Sequence, residues 1–545
     1  MESFSFKFEA NRGVFEFMMI KISKKYVVLP ISNLSTKKQL CFYETSGEGK
    51  LIMDFECKID PLLPQYKVYV DMERYIGSEF LYDTIPHVDF EIEQSDTKDL
   101  PNLYGEDYRP LIHFTPEIGW LNDPNGMIKY HGTYHMFFQY NPCGTEWGNM
   151  HWGHAISDDM IHWKEQDIAL FPDETGAMYS GSAIEDTHNV TGLQSGDQPP
   201  MLLFYTAAGD RGLIANGKKR TQCLAYSNDG GKSFKKYAYN PVIDHVVSYN
   251  RDPKIVWVEE IKKYLIALFL YEEVFGLFVS DNMLDWTLLQ EVQIADEAEC
   301  PDVYNFKVDG ESYWVVIGAS DKYVVGKFEK GEFVPKTKEM NLSHSPVSYA
   351  AQSFSGIDDG RVIRMAWQRL KMPCVRATQQ MSIPMELKLK KDDTDCYLTT
   401  YPVEELKKLY VDTKVMSDQL VQKNMAIPLD TCAYDIHLVT EYGSDMDLTL
   451  FGHVIRIRTR DNLICFDKVK MPISVDRKSV DIRIVADRCS FEVFADNGRF
   501  YATLYAVCDY NLPCFRISSK DEINLKYLSY SKLSSIHANM KQGKD

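Results

Sequence analysis

The sequence predicts an all-β protein in which a β-propeller is flanked by two smaller β-domains, and three observations point there. Apolar runs of strand length alternate with polar turns along almost the whole chain. Aromatic residues, which pleated surfaces favour, make up 13% of the total. One strand-turn-aromatic unit recurs, as "SDDMIHW" at 157 to 163, "SNDGGKSF" at 227 to 234 and "SDNMLDW" at 280 to 286, with no helical stretch between the copies. Such a unit, repeating without helices, reads as the blades of a propeller, with the closing ring pinning one strand of a small sheet to the next.

Along the chain, residues 1 to 105 carry "KYVVLPIS", "LIMDFECKI" and "YKVYVDM" between polar turns, a small sandwich-like N-terminal β-domain. The polar, Pro- and Gly-bearing segment "DTKDLPNLYGEDYRP" at 96 to 110 reads as a linker. The propeller is expected over 108 to 400. "YPVEELKKLY" at 401 to 410 is the one helical candidate, placed as a connector. A C-terminal β-sandwich follows over 412 to 538, with Asn497-Gly498 as a two-residue hairpin signal, and the tail "NMKQGKD" is expected to fray.

Length and charge narrow the function. A chain of 545 residues exceeds one ordinary core. With 78 acidic against 60 basic residues the net charge is -18, which argues against nucleic acid or an anionic membrane as partner and favours a neutral substrate. The twelve cysteines are scattered without a C-x-x-C, so no metal site is expected and the thiols read as reduced core residues. No motif asks for a cofactor. The N-terminus has an acid at position 2 and no basic region ahead of an apolar core, so the expected location is cytoplasmic, with secretion after removal of a leader as the alternative.

The chemistry is suggested by three acids in one pattern. Asp123-Pro124, Asp252-Pro253 and Glu299-Cys300-Pro301 each precede a strand, a turn and a second strand. Proline is tolerated at the first residue of a strand, so the acids are expected at equivalent places in three blades. Equivalent places in a propeller converge on its axis. Three carboxylates in one cavity repel and push a pKa upward, which suits a general acid beside a nucleophile, the arrangement of glycoside cleavage.

Taken together, "WLNDPNG", "FFQYNP", "WGNMHWGHAISDDMIHW", "YSGSAIED", "RDPKIVW", "ECPDVY", "SYAAQSF" and "DRCSFEVFADNG" resemble glycoside hydrolase family 32, the β-fructofuranosidases, over about residues 108 to 505. The resemblance implies a five-bladed propeller followed by a β-sandwich. It implies Asp123 as nucleophile, Glu299 as general acid/base and Asp252 as transition-state stabiliser. Asn122, Gln139, Trp147, Tyr179, Ser180 and Arg251 would line a fructose pocket, with Trp120 and Trp147 offering apolar faces to the sugar. The substrate would be a fructoside: inulin, levan or sucrose. Two departures stand out. Met385 in "SIPMEL" takes the place of a usual arginine, which bears on the outer sugar subsites, and Tyr179 stands where phenylalanine is common.

Other readings are weaker. "GLIANGKK" at 212 to 219 has phosphate-loop spacing, but Lys219 occupies the Ser/Thr position and no helix follows. His151 and His154 read as structural histidines, and Glu492 as a solvated or interface position. A fructosyltransferase using the same acids and a non-catalytic sugar-binding propeller remain the alternatives to hydrolysis.

Overall fold

The computed structural model describes residues 6–10, 13–45, 49–215, 217–392, 396–443, 445–474 and 478–538; Met1 to Ser5, Asn216 of the rejected phosphate-loop match and the tail expected to fray lie outside them. Five small antiparallel sheets follow one another between Gly119 and Pro402. Their first strands, Gly119–Tyr130, Ala177–Glu185, Arg251–Val258, Asp302–Val308 and Ser348–Ser353, pack side by side, and the fifth returns to the first. We call the five sheets blades I to V. A short parallel pairing, Ala377 beside Gly119 and Thr378 beside Trp120, clasps the end of the ring to its beginning.

The repeat in the sequence has a structural meaning. Ser157, Ser227 and Ser280 end the third strands of blades I, II and III. In the turn that follows, a side-chain oxygen of Asp159, Asp229 or Asn282 accepts backbone N–H bonds from residues two to four positions on, as polar turn residues do. The aromatic ring then reaches the preceding blade. Trp163 stacks on Phe354 of blade V, Phe234 meets Phe137 of blade I edge-on, and Trp286 meets Phe204 of blade II. The pin therefore joins blade to blade, a step beyond the strand-to-strand role expected of it.

The N-terminal strands form a five-stranded sheet and a three-stranded sheet around one core, which also takes in Ile118 and Cys143 from the propeller side. The chain after Tyr410 builds two six-stranded sheets around a core of their own. Between propeller and sandwich the apolar packing is continuous, because Phe494, Tyr501 and Leu533 join Leu121, Phe138 and Met385 in one cluster. The linker is no loose tether: Arg109 is buried, donates to the carbonyls of Pro116 and Glu117, and lies over Tyr104, which stacks on His537.

Two local expectations are corrected. The helical candidate is one short 3-10 helix, Glu404–Leu409, squeezed between strands Cys396–Pro402 and Tyr410–Val421. The hairpin at Asn497-Gly498 closes through four residues, since Ala495 pairs with Phe500. Its loop runs left-handed at Asp496, Asn497 and Gly498, and a Cβ on Gly498 would lie 2.1 Å from the carbonyl oxygen of Thr400. Glycine is needed there for both turn and contact.

Candidate active site

The innermost strands carry the site, and those of blades I, II, III and V are each interrupted by a bulge. In blade I Leu121 pairs with Tyr140 and Pro124 with Phe138, so the inner strand has one residue more than its partner. The same surplus occurs at Ser180 in blade II, between Arg251 and Lys254 in blade III, and between Tyr349 and Gln352 in blade V. Bulges bend a strand and re-aim its side chains. This corrects the reading of the prolines: Pro124 and Pro253 lie inside strands, at bulges where a missing N–H costs nothing, and only Pro301 directly precedes its strand. Asp252, Glu299, Cys300 and Ala350 have φ of 65°, 59°, 36° and 50°, a left-handed geometry that non-glycine residues seldom adopt.

Asp123, Asp252 and Glu299 meet in one cavity of about 390 Å³, and the six residues expected to line the pocket border it too. Ser180 Oγ donates to Asp123 Oδ2 at 2.7 Å. Glycine follows it because a Cβ on Gly181 would lie 1.9 Å from the carbonyl oxygen of Phe204. Asp252 is buried, its own N–H donates to Thr206 Oγ1, and one of its oxygens accepts the N–H of Cys300 at 3.1 Å. The Cys300 thiol, 3.5 Å from both Asp123 and Asp252, is held protonated by burial and by the surrounding carboxylates, and so can donate to either. Glu299 is the most open acid, with a side chain 37% exposed, and its oxygens accept from Arg251 and from Tyr349 Oη at 2.9 Å.

The electrostatics follow from this packing. Burial raises the pKa of Asp123, opposed by hydrogen bonds from Ser180 and Asn122 and reinforced by the charge on Glu299. Burial also drives Asp252 up to about 7; Arg251 opposes the shift, while Asp123 and Glu299 add to it. The expected upward push therefore falls on the two aspartates. Buried Lys254, two residues on from Asp252, lies 3.0 Å from Asp302 and donates to Ser353, and so ties blades III, IV and V together.

Arg211, Arg220, Tyr249, Tyr349 and Trp367 also line the cavity and were not singled out from the sequence. Tyr349 stood inside the quoted "SYAAQSF"; the others carry no local signal. Trp147 is exposed at the rim, 6.1 Å edge-on to Tyr179. Trp120 is not among the lining residues: its Nε1 donates to Asn122 Oδ1 and its ring packs on Trp367.

Met385 does not reach the sugar side either. It is fully buried in the third strand of blade V, so the departure from the family pattern is one of core packing, not of an outer subsite. His151 and His154 lie three apart on one strand and so on opposite faces. One stacks on Phe55 and the other on Phe137, which separates them as ligands. Of the two places expected for Glu492, solvated or interface, it takes the second: it is wholly buried at the propeller–sandwich boundary, where it accepts from Gln368 at 2.7 Å and bonds His113.

Residues 113–402 match the model of the glycosyl hydrolases family 32 N-terminal domain. Levanase from Bacillus subtilis (strain 168) is 32% identical over 458 residues, which is 73% of this chain and 66% of that protein. An extracellular exo-inulinase from Aspergillus niger is 32% identical over 352 residues, covering 55% of this chain and again 66% of the relative, so the chain spans just under two thirds of these relatives. In fold, the exo-inulinase of Aspergillus awamori superposes with a TM-score of 0.70 over 79% of this chain and 99% of that one, at 24% identity. With its acids gathered from three blades and more than half its length matched, the chain belongs to glycosyl hydrolase family 32.

Proposed function

We propose that the protein is a retaining glycoside hydrolase that releases terminal β-D-fructofuranosyl residues from fructans or sucrose. The observation that carries this is the meeting of Asp123, Asp252 and Glu299 in one cavity bordered by Asn122, Gln139, Ser180 and Arg251. A levanase and an exo-inulinase among the relatives support the choice of fructan.

In the first step an oxygen of Asp123 attacks the anomeric carbon while the bond to the leaving oxygen breaks and Glu299 gives that oxygen a proton. Water then splits the ester and returns a proton to Glu299. Ser180, by occupying one oxygen of Asp123, leaves the other to attack. Asp252, with Arg251 beside it, holds ring hydroxyls, and those bonds strengthen as charge develops. Glu299 suits the acid role by position, standing at the open side with Tyr349, where the leaving group departs. Buried Asn122 and Gln139 fix the terminal sugar.

Incubation with sucrose, inulin and levan, with all products resolved, tests the reading. Free fructose without new, longer oligosaccharides supports hydrolysis. Accumulating transfer products would favour the fructosyltransferase, and binding without turnover a lectin-like propeller.

A further inference from the structure

Within the framework of the proposed fructosidase, we infer that the N-terminal sandwich builds the binding groove for the fructan chain beyond the scissile bond, and so makes the protein prefer long chains. A cavity of about 310 Å³ lies between strand Leu51–Cys57 and blades I and II. It shares Trp147, Tyr179 and Arg211 with the catalytic cavity, so the two adjoin at these side chains. A third space of about 710 Å³ continues along the same seam and shares Arg74, Pro172 and Ile214 with the second. A trough therefore leads from the acids along the joint between N-terminal domain and propeller.

The N-terminal domain also sets the loops that form the first part of this trough. The backbone N–H of Glu56 donates to Asn149 Oδ1 at 2.8 Å, and Asn149 Nδ2 returns a bond to the Glu56 carbonyl at 2.7 Å, next to Trp147. Asp54 accepts the backbone N–H groups of Leu213 and Ile214 at 3.3 and 3.2 Å, next to Arg211. Arg211 in turn lies 5.6 Å from the Trp147 ring. One N-terminal strand thus positions both the aromatic and the guanidinium that separate the first sugar from the next.

The lining suits a neutral polyhydroxylated chain. Exposed ring faces at Trp147 and apolar Leu213 alternate with Gln39, Asp54 and Arg74, which offer both donors and acceptors. Arg74 spreads over Phe171 at 4.0 Å, so its guanidinium is held in place at the seam. Contacts far from the reacting carbon can be used to lower the barrier, so each sugar in the trough should raise kcat/KM.

The test is kcat/KM for fructose release from a series running from disaccharide to hexasaccharide, on the full chain and on Leu213→Trp and Leu213→Ala. Leu213 is 53% exposed, so both variants are expected to fold. In the unaltered protein kcat/KM should climb with chain length. Leu213→Trp, which fills the trough, should lower the hexasaccharide-to-disaccharide ratio about tenfold, whereas Leu213→Ala keeps the climb. A flat profile in the unaltered protein, or a Leu213→Trp profile parallel to it, overturns the inference while leaving the fructosidase reading standing. Absence of fructose release from every substrate overturns the fructosidase reading itself, and this inference with it.

Discussion

Ser180 of blade II donates its hydroxyl to Asp123 of blade I across the floor of the cavity, at 2.7 Å. The bond favours the ionised carboxylate against the burial that opposes it. Removing it with Ser180→Ala should raise the pKa of Asp123, so the acidic limb of the pH–rate profile moves to higher pH. A hydrogen bond to a charged group is worth about 1.5–3 kcal/mol, so kcat/KM should fall roughly ten- to a hundredfold. Rate profiles of both proteins decide it; an unmoved acidic limb would show that Ser180 does not act through Asp123.

Asp123→Asn is nearly isosteric and removes nucleophilicity alone. Turnover should drop more than about a thousandfold while the thermal midpoint and sugar binding persist. Single-turnover kinetics and calorimetric titration with fructose check both halves.

Asp252 gives a stability prediction of definite sign. Its pKa rises from 3.8 for a free side chain to about 7 in the fold, so between those values the folded state binds more protons than the unfolded one. Stability owed to this group is therefore lost as pH rises through that window. Asp252→Asn, although inactive, should stabilise the chain relative to the parent above about pH 7, with the advantage shrinking toward about pH 4. Denaturant melts of both proteins across that range would expose an opposite trend.

His113 links propeller and sandwich. It bonds Asp487 at 2.8 Å and Glu492 at 3.2 Å, all three buried. Burial alone would lower its pKa, but the two carboxylates carry it up to about 9. A raised histidine pKa contributes stability that is complete below about 6.5 and lost as pH climbs to 9. His113→Gln should cost about 3–5 kcal/mol at neutral pH, because it leaves two buried carboxylates facing each other. The deficit against the parent should narrow as pH rises from about 6.5 to about 9 and level off beyond, which paired melts would detect.

The acids were legible in the sequence because each stands in a short motif with a proline, and propeller geometry turns equivalent places into one place. The bulges that re-aim Asp123 and Asp252 were not legible. A proline at a bulge and one at a strand start look alike until pairing is known, as Pro124 and Pro253 demonstrate. Glu492 shows a related limit: an acid alternating with apolar neighbours fits a solvated or an interface position alike, and only the second domain covering that face decides for the interface. The motif comparison ties the Met385 departure to the outer sugar subsites, while the register of its strand points it into the core. The seam that joins residues 39, 54 and 74 to Trp147 depends on how two domains meet, and no local pattern encodes that.

The shape of the cavity leads to a last prediction, that hydrolysis is exo-acting. Buried Asn122, Gln139 and Ser180 line the cavity beside Asp123 and wall in the first sugar. A chain passing through would need two exits from the site, whereas the trough along the N-terminal domain leaves on one side. The terminal fructosyl residue would sit on Asp123 with the remaining chain extending past Trp147. A time course on inulin and levan reads this directly. Free fructose from the earliest points, with polymer length falling slowly, is the expected result. Early release of oligosaccharides, or of a cyclic difructose, would mean that a chain middle can reach Asp123 and that the walls around the first sugar do not hold the site to a chain end.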